Sequence, residues 1–203
     1  MSVLPNITPD KSHGYEALAE TFMRIRNKRI GPSIVREWCG SLAPGSAVLD
    51  LGCGSGVPIT EVLVEAGFAV YGVDASATLI HAFRERFPEA QAQCAAVEES
   101  SFFDRSFDAA IAWGLLFLLP EAIQTSVIAR VGRVLKPGGR FLFTAPREVV
   151  CWKDGMTDEE SVSLGAEVYE AMLLAQGVAV TGHAVDEGEN YYYFCMKQEK
   201  ARA

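Results

Sequence analysis

Apolar residues along this chain of 203 residues fall into short runs that alternate with segments of helical periodicity. The short runs predict buried strands, at "AVLDLGC", "FAVYGVD", "FDAAIAW" and "RFLFTAP", and more weakly at 91–95. The segments between them predict helices, at "PITEVLVEAG", at "SATLIHAFRERFP" and from Pro120 to Leu135. Strands that alternate with helices indicate a parallel, doubly wound α/β sheet.

The two ends of the chain carry different patterns. Before the first strand, Tyr15, Leu18, Phe22 and Ile25 recur at helical spacing and predict helices packed outside the sheet. The segment "TDEE" at 157–160 resembles a capping box and predicts a helix that runs to about residue 176. The final segments, "VAVTGHAV" and "NYYYFCMK", predict a hairpin that adds an antiparallel strand at one end of the sheet.

Composition narrows the possible partners. The formal net charge of −8 makes nucleic acid a poor default partner, because an acidic surface repels phosphate backbones. The five cysteines are odd in number and contain no Cys-x-x-Cys pair, and the three histidines lie far apart, so we expect neither a disulfide framework nor a metal. No leader-like start and no apolar run near ~20 residues occur, so we expect a cytoplasmic protein without a membrane partner.

Glycines at intervals of two follow the first predicted strand, at Gly52, Gly54 and Gly56 in "VLDLGCGSGVP". Glycine permits a tight turn and lets a ligand approach the backbone. Asp74 ends the second predicted strand, and a carboxylate at about this distance from a glycine loop can accept both hydroxyls of a ribose. Ligands of such sheets bind beyond the carboxyl ends of the strands, so this combination predicts a nucleoside site.

The glycine spacing and Asp50 distinguish this loop from a dinucleotide site. In dinucleotide-binding proteins the third glycine follows the second by three residues, and a pyrophosphate lies at a helix N-terminus. Here the interval is two, and Asp50 stands just before the glycines, where it would repel a pyrophosphate. The loop therefore favours a ligand with an ammonium group or a net positive charge. A nicotinamide-dependent oxidoreductase is the less favoured interpretation, because the catalytic Tyr-Lys pattern is also absent.

The segments "VLDLGCGSG", "YGVDAS", "FDAAIAWGLLFLLP" and "RVLKPGGRFLFTAP" resemble the class I S-adenosylmethionine-dependent methyltransferases of the small-molecule kind. The resemblance covers about residues 46–146. It implies a Rossmann-like sheet of seven strands, mostly parallel with an antiparallel C-terminal hairpin strand. It also implies in-line transfer of a methyl group to a small-molecule nucleophile, which leaves S-adenosylhomocysteine. The alternative is a non-catalytic, cofactor-binding regulatory or assembly module of the same fold.

The resemblance also implies roles for individual residues. The cofactor would be held by Asp50, Gly52, Cys53, Gly54 and Gly56 at its methionine end, by Asp74 at the ribose, by Ala75, Val97 and Glu98 at the adenine, and by Ala112 and Trp113 beside the sulfonium. Two positions depart from the family: Ala96 stands where many relatives carry an aspartate, and apolar residues stand where many carry a histidine near Phe117. Tyr15 would cover the cofactor, with Arg24 or Arg26 near its carboxylate.

Candidates for the methyl acceptor site follow the fifth predicted strand and the last turn. Because both lie at the ligand-binding edge, we expect Trp152, Glu189 and Asn190 to contact the substrate, with Arg147 and Asp186 nearby. Tyr15, Glu148 and Glu187 are the candidate catalytic groups. We expect one domain over 1–203, with an N-terminal helical lid (1–45), a cofactor-binding core (46–146) and a substrate-side helix and hairpin (147–203). The acceptor atom, the general base and the oligomeric state stay open.

Overall fold

A computed structural model of the chain describes residues 10–199. The helices are α1 (Tyr15–Ile25), α2 (Pro32–Cys39), α3 (Ile59–Glu65), α4 (Ala77–Arg86), α5 (Glu121–Val134) and α6 (Ala166–Leu174). The strands are β1 (Ala47–Leu51), β2 (Ala69–Asp74), β3 (Gln91–Cys94), β4 (Phe107–Ala112), β5 (Leu135–Thr144), β6 (Val149–Lys153), β7 (Glu160–Leu164), β8 (Val178–Val185) and β9 (Tyr191–Lys197).

A sheet of seven strands in the order β3-β2-β1-β4-β5-β9-β8 forms the centre of the molecule. Strands β1 to β5 pair in parallel, and β9 pairs antiparallel with both β5 and β8. This confirms the predicted doubly wound α/β sheet with a closing hairpin. The antiparallel strand, however, lies inside the sheet between β5 and β8 rather than at its end. The strand order reverses at β1 and β4, and ligands of such sheets bind at this point.

Both faces of the sheet are buried, which explains the continuous apolar runs of the parallel strands. Neighbouring residues of β1 point to opposite faces, since side chains alternate along a strand. Leu49 packs into a cluster with Phe141 and Tyr169, and Val48 packs into a second cluster with Trp38. The two clusters fix β1 between two apolar layers, so the polar loop that follows Leu51 is presented at the sheet edge.

The prediction of a helix that begins at 157–160 is wrong, because these residues lie at the turn of a two-stranded hairpin, β6–β7. The Asp154 carboxylate accepts hydrogen bonds from the backbone N–H groups of Met156 and Thr157, which closes a turn in place of a helix cap. The helix begins later, at Ala166, after Gly165 with a φ of 84°. The region after β5 therefore contributes a hairpin over the sheet edge that the sequence pattern did not predict.

Most other local predictions are confirmed. Ser76 caps α4, and its hydroxyl oxygen accepts a hydrogen bond from the Leu79 backbone N–H at 3.1 Å. The apolar stripe predicted for α1 does not extend to Ile25, whose side chain is 58% exposed and lies outside the core. Within residues 10–199, no helix has both the length and the apolarity that crossing a membrane requires.

Gly56 offers a matched test of packing, because Gly67 shares its backbone conformation. Both have a φ near +80°, but a Cβ on Gly56 would lie 2.3 Å from the Phe87 ring, whereas nothing lies within 4 Å of one on Gly67. We expect Gly67→Ala to cost about 1 to 2 kcal/mol in the free energy of unfolding, the strain of a left-handed residue. Gly56→Ala should cost about 1 to 3 kcal/mol more, because the ring must move. Denaturant unfolding measures both, and equal costs would contradict the packing assigned to Gly56.

Candidate functional site

A cavity lies between α1, with the residues just before it, and the carboxyl ends of β1, β2 and β4; we call it the α1 cavity. It brings together most residues predicted to hold the cofactor. Those on its wall are Asp50, Gly52, Cys53, Gly54, Asp74, Ala75, Val97, Glu98 and Trp113. Tyr15, Phe22 and Arg26 line it from the opposite side.

Asp74 is held rigidly at the end of β2. Its carboxylate oxygens accept hydrogen bonds from the backbone N–H groups of Gly54 and Ser76, each at 2.8 Å. Each oxygen of a carboxylate has two lone pairs, so both retain room for a further donor. Burial raises the pKa of Asp74, with the two backbone hydrogen bonds acting in the opposite direction. The arrangement is a fixed pair of acceptors on the cavity wall, which suits adjacent hydroxyl groups.

Asp50 is more deeply buried, at 1% exposure, on the central strand β1. One of its oxygens accepts a hydrogen bond from the Thr60 hydroxyl at 2.6 Å. Burial raises the pKa of Asp50 to about 7, and the nearby Asp74 carboxylate adds to this rise. No cationic side chain among residues 10–199 forms a salt bridge with it. An acid in this environment favours a cationic ligand group, which would restore its charge.

Arg26 supplies a positive charge on the same cavity. Its guanidinium carbon lies 4.2 Å from the centroid of the Trp113 ring and 5.0 Å from that of Phe22. Burial lowers the pKa of Arg26 to about 10. Its Nε is buried without a hydrogen-bond partner, and no carboxylate in the described part of the chain pairs with it. A cation placed in this way favours an anionic ligand group.

The α1 segment is fastened to the rest of the molecule at separate points. Glu16 accepts hydrogen bonds from the hydroxyl groups of Ser76 and Thr78, at the start of α4. The Tyr15 hydroxyl donates to Asp154 of the β6–β7 turn at 3.2 Å. Lys11 pairs with Glu98 at 3.4 Å and with the neighbouring Glu99. These contacts hold α1 over the cavity.

Two of the residues predicted to hold the cofactor, Gly56 and Ala112, do not line the α1 cavity. Gly56 faces α4, where Phe87 occupies the space beside its Cα. Ala112, the last residue of β4, is fully buried in the core. Sequence reasoning missed His13, which lines the cavity and whose Nε2 is buried without a partner in the described residues. His13 precedes α1 with a φ of 56°, outside any periodic pattern that would have indicated its position.

A second cavity, of about 440 Å³, lies beside the β6–β7 hairpin; we call it the hairpin cavity. Its lining includes the predicted substrate residues and one predicted catalytic group, namely Trp152, Glu189, Asn190 and Glu148. Glu187 lines neither cavity and instead accepts a hydrogen bond from the Ser33 hydroxyl at 3.4 Å. The structure therefore separates the candidate catalytic groups, with Tyr15 in the α1 cavity and Glu148 in the hairpin cavity.

A chain of hydrogen bonds joins the walls of the two cavities. The Trp113 indole N–H donates to the Tyr192 hydroxyl at 2.5 Å, and Tyr192 donates to Asp186 at 2.7 Å. The Asn190 side-chain amide donates to the same carboxylate at 2.9 Å. Asp186 is only 8% exposed, so it is a buried anchor of the last turn rather than a group on the cavity rim. The chain fixes Trp113 relative to Asn190.

Part of the chain matches a known protein family. Residues 48–139 match the family model described as a methyltransferase domain, and this range extends from the second residue of β1 through β4 and includes the glycine loop. Over these residues the chain matches a methyltransferase domain. The sequence-based recognition and fold class are thereby confirmed.

Curated relatives and solved structures extend the comparison. An uncharacterized methyltransferase from Synechocystis sp. is 36% identical over 101 residues, which are 50% of this chain and 47% of that protein. A ubiquinone biosynthesis O-methyltransferase from Idiomarina loihiensis is 32% identical over 124 residues, 58% of this chain and 50% of that protein. The chain thus spans about half the length of these curated relatives.

The crystal structure of a magnesium protoporphyrin IX methyltransferase from Synechocystis, with bound S-adenosylmethionine, has a similar fold. The TM-score is 0.72 at 13% identity, over 96% of this chain and 100% of that one. At this identity the likeness describes the fold. It extends the shared architecture beyond residues 48–139 to almost the whole chain.

Proposed function

We propose that this methyltransferase domain binds S-adenosylmethionine in the α1 cavity and transfers its methyl group to a small molecule. One observation carries the proposal: a single cavity presents the carboxyl groups of Asp50 and Asp74 and the unpaired guanidinium of Arg26. An adenosyl amino acid offers the complementary groups, namely ribose hydroxyls, an ammonium and a carboxylate. The proposal includes a cytoplasmic metabolite as acceptor rather than nucleic acid, since the chain carries a net charge of −8.

In this proposal, each part of the cofactor has complementary groups on the walls of the α1 cavity. Asp74 accepts hydrogen bonds from the ribose hydroxyls, and Val97 and Glu98 flank the adenine with Ala75. The backbone from Gly52 to Gly54 and the Asp50 carboxylate hold the methionine end. Arg26 pairs with the carboxylate of that end. When bound, the cofactor supplies a methyl group made electrophilic by its sulfonium.

The chain's own contribution is alignment and exclusion of water. The α1 segment covers the cavity through its contacts with Ser76, Thr78 and Asp154. Tyr15 is poorly suited to act as a general base at neutral pH, because burial raises its pKa to about 12. We infer that Tyr15 instead helps to close the cavity through the hydrogen bond that its hydroxyl donates to Asp154. Glu148, on the hairpin cavity, is the remaining candidate for proton acceptance.

The raised pKa of Asp50 predicts a pH dependence of cofactor binding. Only the ionised carboxylate attracts the ligand ammonium, and below about pH 7 Asp50 is mostly neutral in the free protein. We expect the affinity for S-adenosylhomocysteine to fall below pH 7, by up to about tenfold per pH unit, because binding must then release a proton. Calorimetry between pH 5.5 and 8 measures this, with Asp50→Asn as the variant whose profile should be flat.

Stability supplies a second readout of the same group. Between pH 3.8, the ordinary pKa of an aspartate, and about pH 7, the folded protein holds a proton on Asp50 that the unfolded chain has lost. The ligand-free fold therefore loses stability as the pH rises through this interval, and the full loss is present above it. Asp50→Asn should raise the melting temperature at pH 8 more than at pH 4. An equal effect at both pH values would contradict the assigned ionisation.

The activity itself is tested with S-adenosylmethionine labelled in its methyl group, incubated with the protein and fractionated metabolite pools. Label that appears in a small molecule, together with S-adenosylhomocysteine, supports the proposal. Binding of the cofactor without transfer to any pool would favour the alternative, a regulatory or assembly module. Transfer of label to nucleic acid alone would contradict the proposed acceptor class.

A further inference from the structure

His13 brings an unpaired nitrogen to the α1 cavity. The residue lines this cavity, and its Nε2 is buried without a hydrogen-bond partner among residues 10–199. A buried nitrogen of this kind is costly to the fold unless a ligand or an ordered water supplies the missing hydrogen bond. The nitrogen is therefore a candidate contact for a polar group of a molecule bound in the cavity.

The turn before α1 holds His13 in an unusual backbone conformation. Its φ is 56°, in the left-handed region that residues with a side chain rarely adopt, so the surrounding contacts must maintain it. The Asp10 carboxylate accepts hydrogen bonds from the backbone N–H groups of Ser12 at 2.8 Å and of Gly14 at 3.2 Å, on either side of His13. The direction of the imidazole is thus set by the turn rather than by a hydrogen bond of Nε2.

Contacts on both sides of His13 place it over one end of the α1 cavity. Lys11 pairs with Glu98 at 3.4 Å, in the segment that follows β3. Glu16 accepts a hydrogen bond from the Thr78 hydroxyl at 2.8 Å, in the helix that follows β2. Two or three residues of chain span at most about 7 to 10 Å, so His13 lies close to both segments. These are the segments proposed to flank the adenine.

Few side-chain acceptors are free at this end of the cavity. Val97 is apolar and its carbonyl oxygen accepts a hydrogen bond from the Arg130 guanidinium, while the Glu98 carboxylate is paired with Lys11. The 6-amino group of adenine carries two hydrogens, and each needs an acceptor when the group is buried. A neutral imidazole has one nitrogen that accepts a hydrogen bond. The Nε2 of His13 can therefore supply an acceptor that the segment after β3 provides only in part.

We propose that His13 determines specificity for the base of the cofactor, and that its Nε2 accepts a hydrogen bond from the 6-amino group of the bound adenine. This inference rests on the proposed function and adds recognition of the base to it. Binding pairs a nitrogen that has no partner in the ligand-free protein. The turn before α1 thus favours adenine over a purine that lacks the amino group.

The test compares 5′-methylthioadenosine with its analogue that has hydrogen in place of the 6-amino group, each titrated by calorimetry at pH 7.5. We expect the natural protein to bind the amino compound about three- to tenfold tighter, because the analogue loses one hydrogen bond. His13→Asn should remove most of this preference, since the shorter side chain does not reach the base. Asparagine adopts the left-handed conformation readily, so the melting temperature should not fall.

His81→Asn is the matched control, because it removes a histidine whose side chain is 76% exposed on α4, and it should preserve the preference. Equal binding of the two compounds by the natural protein, or equal losses of affinity for both in His13→Asn, would overturn this inference. Binding of S-adenosylhomocysteine and of 5′-methylthioadenosine is measured first. Failure of both to bind would count against the proposed cofactor, whereas binding without a preference for the amino group would count against this inference alone.

Discussion

Arg26→Met is expected to weaken binding of S-adenosylhomocysteine by about 30-fold or more, near ~2 kcal/mol, the lower range for one partner of a desolvated charge pair. Methionine preserves much of the length that packs on Trp113 and Phe22 but removes the charge. Binding of 5′-methylthioadenosine should not change, because this ligand lacks the amino acid carboxylate that Arg26 is proposed to hold. Calorimetry with the two ligands measures the difference.

Stability separates this role of Arg26 from a merely structural one. In the ligand-free protein the guanidinium is unpaired and its pKa is lowered by burial, so its charge destabilises the fold. The melting temperature of Arg26→Met should therefore be no lower than that of the natural protein. Arg26→Lys should recover part of the affinity. A large fall in melting temperature, or equal losses for both ligands, would contradict the proposed contact.

Asp74→Ala is expected to weaken both S-adenosylhomocysteine and 5′-methylthioadenosine, roughly 10- to 100-fold, the cost of lost hydrogen bonds to a charged group. Both ligands carry the ribose that Asp74 is proposed to bind. The two variants thus predict different patterns: Arg26→Met discriminates between the ligands, and Asp74→Ala does not.

Asp74 also holds the glycine loop, so its replacement lowers stability as well as affinity. The backbone N–H groups of Gly54 and Ser76 lose their acceptor, at about 1 to 3 kcal/mol for each one left unpaired. Asp108→Ala is the matched control. The Asp108 carboxylate also accepts a hydrogen bond from a backbone N–H, that of Ala47, but it lies at the end of β4 away from the α1 cavity. Affinity that is unchanged in Asp74→Ala, or reduced as much in Asp108→Ala, would contradict the ribose assignment.

The parts of the fold that sequence predicts well depend on contacts close in the chain. The apolar runs around Leu49 and Ile111 predict strands because both faces of a parallel sheet are buried. The cap of α4 at Ser76 is likewise a local hydrogen bond. The glycine loop and Asp74 could likewise be predicted from nearby residues. Each comes at the end of a strand, β1 or β2, whose apolar side chains fix its place in the sheet.

Features that sequence missed depend on contacts between distant segments. Residues 157–160 match the sequence pattern of a capping box. In the structure, however, the Asp154 carboxylate accepts the hydrogen bonds of the backbone N–H groups in this turn, and β6 pairs with β7. Gly56 belongs to the glycine motif, yet its space is occupied by Phe87. The choice between Arg24 and Arg26 depends on packing: Arg24 is exposed, whereas Arg26 stacks on Trp113.

The measurement that tests the central proposal most directly is calorimetric titration of the unmodified protein with S-adenosylhomocysteine and, separately, with NAD. The charges of Asp50, Asp74 and Arg26 around one cavity predict binding of one S-adenosylhomocysteine per chain and no binding of NAD. Binding of NAD without S-adenosylhomocysteine would contradict the assignment of the α1 cavity.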